Sequence, residues 1–320
     1  MANFIPEGGI WINTQRPEWN DANNALVGNG ASMVTLYYLR RFLVFLKQFI
    51  SGVKHCEVLI SDELLICFKA MKITLNSKVH TLNRQLSNLE RRSVLDGLGK
   101  AASAYRNTVY NHNFSGKKSL IYLSELTAFI DVALAHLEHS IAANKRQDNL
   151  YHAYNLMTVS DDGGIMVTHL PEMLEGQVAV LSSGLLKPLE ALEVLDALKA
   201  SALFRKDQYS YILYPNKSLP RFFDKNNIEQ ELVKGSSLLS QLLASGNKKI
   251  IIQDCEGGVH FNGTFNNVTQ LKKALSELPD KFQSLVNKES DYLQGVYEKI
   301  FNHKTFTGRS GTFFGYEGLG

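Results

Sequence analysis

Long apolar stripes at helical spacing constrain this chain more than any other feature. In residues 119–143, Leu120, Leu123, Leu126, Ile130, Leu134, Leu137 and Ile141 fall on one face of a helix. Residues 25–50 repeat the pattern with Leu26, Met33, Leu36, Leu43, Leu46 and Ile50. A third stripe, over 79–109, carries Leu82, Leu86, Leu89, Leu95 and Leu98. Ser61-Asp62-Glu63 reads as the N-cap of a helix that runs to about Asn76. Further helices are expected over 172–181, 188–202, 228–245, 268–278 and 279–301. Between them lie Ile10-Trp11-Ile12, Ile165–His169, Tyr209–Tyr214 and a hairpin of Ile250–Gln253 with Val259–Phe261, all read as short strands. Asp161-Asp162-Gly163-Gly164 is a turn, and residues 144–184 are otherwise mostly irregular. Helices of this length in pairs, with long loops between, predict a mainly α chain of stacked helical hairpins.

At 320 residues with 44% apolar and 20% charged side chains, the composition is that of an ordinary globular protein. A formal charge of +3 is too small to argue for nucleic acid or an anionic membrane as partner. The apolar run 33–53 is broken by Arg40-Arg41 and Lys47, which makes it a core helix and not a membrane span. Cys56, Cys67 and Cys255 have no metal-ligand spacing and leave an odd thiol. That favours a reducing compartment, with a cytoplasmic location as the expectation. Residues 1–7 lack the basic start and apolar run of a signal peptide.

The stretch Arg16-Pro17-Glu18-Trp19-Asn20-Asp21 is unusual for a connector. An indole offers a flat face to the C–H side of a pyranose. Arg16, Glu18 and Asn20 can hydrogen-bond sugar hydroxyls. A carboxylic acid beside an apolar ring can hold its proton and donate it to a leaving oxygen. A plain helix-capping loop explains the same residues equally well.

Trp19-Asn20-Asp21 resembles the end of the Asp-Trp-Asn-Asp motif of the inverting cellobiose and chitobiose phosphorylases. The resemblance implies an α/α six-barrel, with Asp21 as the general acid and Trp19 lining the adjacent sugar subsite. Glu18 replaces the first Asp of that motif, a one-carbon extension at a position that contacts a sugar hydroxyl in those enzymes. Thr307-Gly308-Arg309-Ser310-Gly311 is similar to the Thr-Gly-Ser-Ala-Gly stretch with which those enzymes contact phosphate. Thr307 and Gly308 are the matching positions. The inserted Arg309 departs from the pattern, although a guanidinium suits an anion.

In those barrels several hairpins precede the acid motif. The resemblance therefore implies an incomplete barrel (toroid) with a few short strands in its loops. Residues 1–320 are then a single catalytic-domain segment, truncated at both ends, of a longer polypeptide.

Inverting phosphorolysis needs one acid and a phosphate nucleophile. Inverting hydrolysis needs an acid and a base carboxylate roughly 6.5–9.5 Å away. Glu317 is the first candidate base and Glu175 the second, and each serves equally as a structural or sugar-binding residue. His152 and Tyr154, in Tyr151-His152-Ala153-Tyr154-Asn155, are candidates for a sugar-subsite wall or for a packed loop. His136 and His139 sit at i and i+3, but no third metal ligand is evident. Arg91-Arg92 reads as a solvated helix face. The expectations are an oligosaccharide or glycoside substrate, no cofactor beyond inorganic phosphate as a co-substrate, no metal, and no nucleic-acid or membrane partner. The alternative is a non-catalytic helical scaffold or sugar-binding fragment.

Overall fold

The computed structural model describes residues 1–13, 26, 28–53, 57–213, 215 and 220–302. They divide into two compact units, Met1–Asn216 and Lys217–Gly320. Among the described residues no helix is long and apolar enough to cross a membrane.

The first unit is built on a five-stranded antiparallel sheet, curled into a half-barrel, with helices packed around it. Its strands are β1 (Phe4–Ile5), β2 (Gly9–Trp11), β3 (Gly30–Ser32), β6 (Tyr154–Val159) and β7 (Ile165–His169), and they lie side by side in that order. A two-stranded ribbon, β4 (Glu57–Ser61) with β5 (Lys118–Tyr122), stands apart from the sheet. A second, β8 (Phe204–Arg205) with β9 (Ser210–Tyr211), follows the last helix of the unit.

This sheet corrects the α/α-barrel expectation. The helical pattern of residues 25–50 conceals a strand, because Gly30-Ala31-Ser32 pairs with Leu156-Asn155-Tyr154 before the helix starts. Gly9 permits the β2–β3 crossing: it sits at φ +120°, and a Cβ there would lie 2.8 Å from the Ser32 carbonyl.

Helix α1 (Met33–Ser51) begins where the Ser32 hydroxyl accepts the Thr35 amide at 3.0 Å. Helix α2 (Asp62–Asn76) is capped by Ser61, as its sequence indicates. Residues 79–109 do not form one helix. Val79–Thr81 is a single 3-10 turn, and α3 (Asn88–His112) starts at a capping box in which Ser87 and Glu90 satisfy each other's backbone amides. Helix α4 (Leu123–Ala143) is shorter than its apolar stripe, since Lys118–Tyr122 is drawn into the ribbon. Helices α5 (Leu174–Ser182) and α6 (Pro188–Ala200) follow, the latter with proline in its first turn. Phe4, Met33, Leu36, Tyr37, Leu98, Ile130 and Leu137 form the main core of the unit.

The second unit holds α7 (Phe222–Lys225), α8 (Gln230–Lys234), α9 (Ser237–Ala244), the hairpin β10 (Ile251–Gln253) with β11 (Val259–Phe261), α10 (Val268–Ser276) and α11 (Asp280–Phe301). The helix expected over 228–245 is broken at Ser236. Its hydroxyl caps α9 by accepting the Leu239 amide at 3.0 Å, and it donates to Glu289 at 2.6 Å. Leu238, Leu242, Leu271, Leu275, Leu293, Tyr297 and Phe301 pack at the centre. Each fully buried leucine there contributes about 1.5–3 kcal/mol.

Candidate functional site

In the first unit, the turn between β1 and β2 carries Glu7 into the protein. Glu7 is only 4% exposed and adopts a left-handed backbone at φ 61°. That conformation costs a non-glycine residue about 1 kcal/mol or more. It is held by bonds on every side. Its N–H donates to the Ser140 hydroxyl at 2.9 Å, and its carbonyl accepts from Asn144 Nδ2 at 2.8 Å.

Oε1 accepts the Leu86 amide and His139 Nε2, each at 2.9 Å. Oε2 accepts Arg91 Nε at 3.0 Å and Nη2 at 2.6 Å. Four donors fill the carboxylate's acceptor sites. Burial alone would raise the Glu7 pKa. The bonds from His139, Leu86 and Arg91 outweigh it and hold the group below the usual carboxylate range. Arg91 Nη1 donates to Asn88 Oδ1 and to the Ile165 carbonyl, so four of the five guanidinium N–H groups are used.

A chain of amides leads from Glu7 to the sheet. Asn144 Nδ2 faces two carbonyls, of Glu7 and Ser140, which can only accept. Its Oδ1 therefore accepts from Asn155 Nδ2 at 2.8 Å, and the same Nδ2 donates to the Gly8 carbonyl at 2.8 Å. Asn155 stands directly across from His169 in the β6–β7 pairing, and its Oδ1 is 2.8 Å from His169 Nδ1. The proton of His169 is thereby assigned to Nδ1, and Nε2 is a bare acceptor. Burial first, and then the charges of Arg146 and Arg91, push the His169 pKa down.

These residues shape an open cavity of about 400 Å³. Glu7 and Arg91 form its buried floor, His139 is half-buried on its wall, and Gln85, Val167 and His169 stand around its mouth. A second cleft, of about 480 Å³, has Trp11, Arg92, Lys100 and Arg106 in its lining.

Of the candidate sugar-site and catalytic residues, His152, Tyr154 and Glu175 fall among the described residues. His152 stacks on His169 with ring centroids 4.1 Å apart and planes 7° from parallel. Its Nδ1–H donates to the Leu170 carbonyl at 3.1 Å. Burial, and then the neighbouring His169, bring its pKa down to about 4. Tyr154 is buried and hydrogen-bonds Glu175. Burial raises the Glu175 pKa, and its Oε1 is buried without a partner. Arg16, Glu18, Trp19, Asn20, Asp21, Thr307, Gly308, Arg309 and Glu317 lie outside the described residues.

His136 and His139 turn to different acceptors, the Leu75 carbonyl and Glu7. Arg91 is not a solvated residue but 6% exposed. The sequence did hold a signal for it, since Arg91 shares a helical face with Val94, Leu95 and Leu98, and a cation on an apolar stripe needs a buried partner. Glu7, Asn144, Asn155 and His169 carried no comparable mark.

Comparison with known proteins bears on the second unit. Residues 219–304 match the family model described as GH149 phosphorylase insertion domain 2. No curated protein matches the chain. In residues 219–304 the chain is similar to an insertion domain of glycoside phosphorylases.

Proposed function

We propose that this chain is a segment of a carbohydrate-active enzyme that cleaves a glycosidic bond with inversion, using inorganic phosphate as nucleophile. The observation that carries this reading is the phosphorylase insertion-domain match over residues 219–304, in the same chain as Trp19-Asn20-Asp21. In this reading Asp21 protonates the leaving glycosidic oxygen. Trp19 stacks on the sugar ring, while Arg16, Glu18 and Asn20 bond its hydroxyls. Thr307, Gly308 and Arg309 hold the phosphate, whose oxygen attacks the anomeric carbon from the face opposite the departing group. The products are a sugar 1-phosphate and a shortened acceptor. His152 and Tyr154 serve the sugar subsites by fixing the wall behind them, since both are engaged in contacts within the protein.

Glu317 and Glu175 are the carboxylates that a hydrolytic version of the reaction would draw on. Incubation of the chain with β-linked and α-linked gluco-oligosaccharides, with and without phosphate, tests the proposal. Phosphate-dependent release of sugar 1-phosphate supports it. Phosphate-independent release of free sugar moves the assignment to hydrolysis, and no release with any glycan favours a scaffold.

A further inference from the structure

The cavity over Glu7 plays no part in that reaction scheme, yet its chemistry is specific. Its floor looks ionic but has little charge to offer. The Glu7 carboxylate is saturated by four donors, and Arg91 cancels its charge with nearly all of its own N–H groups used. An anion entering the cavity meets a carboxylate and finds few donors. A cation finds that carboxylate already neutralised.

What remains open is a pair of imidazole nitrogens. His139 spends Nε2–H on Glu7, which leaves Nδ1, and His169 spends Nδ1–H on Asn155, which leaves Nε2. His169 presents a lone pair at Nε2, because Asn155 fixes its proton on Nδ1 and burial lowers its pKa. Gln85 adds an amide at the mouth, and Ala142, Ala143 and Val167 add apolar wall. Two imidazoles and an amide on a partly apolar wall suit a ligand rich in neutral O–H groups. The volume of about 400 Å³ is at the small end of ligand pockets, which suits one ring and not a chain of them.

We propose that this cavity is a binding subsite for a neutral polyhydroxylated ligand of about one pyranose unit, with one hydroxyl donating to His169 Nε2 and another hydrogen-bonded to His139 Nδ1. The rigid amide chain from Glu7 through Asn144 and Asn155 keeps the His169 proton on the far side of its ring, so the acceptor is set before the ligand arrives. The site is independent of the phosphorolysis reading, because binding needs no turnover.

The test is a titration of the full chain with D-glucose, followed by long-range proton–nitrogen correlation of the histidine rings, with parallel titrations of inorganic phosphate and of ammonium. In the free protein His169 is expected to show the Nδ1–H form. Glucose should then shift His169 Nε2 and His139 Nδ1 together and leave His136 unmoved. Gln85→Ala, at an exposed position, should weaken the glucose response several-fold with the fold intact. His169→Phe, which keeps a ring against His152, should abolish it at His139. A response to phosphate or ammonium in place of glucose would overturn the proposal. So would an unchanged pair of rings in a folded protein at saturating sugar, or a free-state His169 protonated on Nε2.

Discussion

Glu7 and Arg91 stand 84 positions apart and meet through bonds of 2.6 and 3.0 Å to a single carboxylate oxygen. The pair ties the β1–β2 turn to α3, and through His139 it also ties that turn to α4. Three elements remote in sequence are thus fastened at one ionised side chain, beneath a cavity. Breaking a buried pair by removing one partner leaves the other charge uncompensated, at a cost of about 3–5 kcal/mol. Glu7→Gln should lower the stability of the first unit by about that amount, read from the urea midpoint. A loss within about 1 kcal/mol would mean the pair behaves as a surface bridge. Glu7→Gln combined with Arg91→Met should cost less than the two single changes summed.

The stacked rings of His152 and His169 set a pH dependence. The His152 pKa is depressed from 6.5 to about 4 in the folded chain, so between those values the unfolded chain binds more protons. Stability is therefore fully present above pH 6.5 and falls as pH drops toward 4. Allowing for partial exposure, the loss from this ring is on the order of 1–2 kcal/mol. His152→Phe should flatten that slope in a series of denaturant melts, and an unchanged slope would remove His152 as its cause.

Glu175 acts in the opposite direction. Its folded pKa is raised above 4.5, so the folded chain holds the proton longer and stability falls as pH rises through that range. Glu175→Gln keeps the shape and the bond to Tyr154 while removing a buried charge. It should leave stability unchanged or raise it by about 1 kcal/mol near pH 7. A marked loss would show that the carboxylate has a partner it depends on.

In the second unit, Ser236 couples the start of α9 to Glu289 on α11, which also accepts the Leu238 amide at 3.1 Å. Ser236→Ala removes the cap and leaves Glu289 with one fewer donor, for a cost of about 1–2 kcal/mol. Hydrogen exchange at Leu239 should accelerate before exchange in the rest of the core. Uniform acceleration would place the effect on global stability instead.

Helices with a chemical start signal were legible in the chain. Ser61 before α2 and Pro188 in α6 announce their elements, and the β10–β11 hairpin shows in its apolar flanks around Glu256-Gly257-Gly258. The central sheet was legible only in part: Ile165–His169 is β7 and Ile10-Trp11-Ile12 overlaps β2, while β1, β3 and β6 gave no such sign. β1, β2 and β3 are two or three residues long, too short to display a period of two. β3 pairs with β6 across more than a hundred positions, through backbone bonds that side-chain pattern does not encode. With β1, β3 and β6 hidden, the remaining short strands read as loop decoration on a mainly helical barrel. The cavity was hidden for the same reason, since its floor is a turn residue, Glu7, whose partners come from α3 and α4. Only Arg91, a cation set among apolar positions, pointed inward.

In the proposed phosphate-dependent cleavage, Asp21 is the proton donor. The most direct test of that role is the rate of sugar 1-phosphate release from an oligosaccharide, compared between the native chain and Asp21→Asn at equal folded concentration. Turnover should fall about 10²–10⁴-fold with the melting profile unchanged. Full activity in Asp21→Asn would contradict that role.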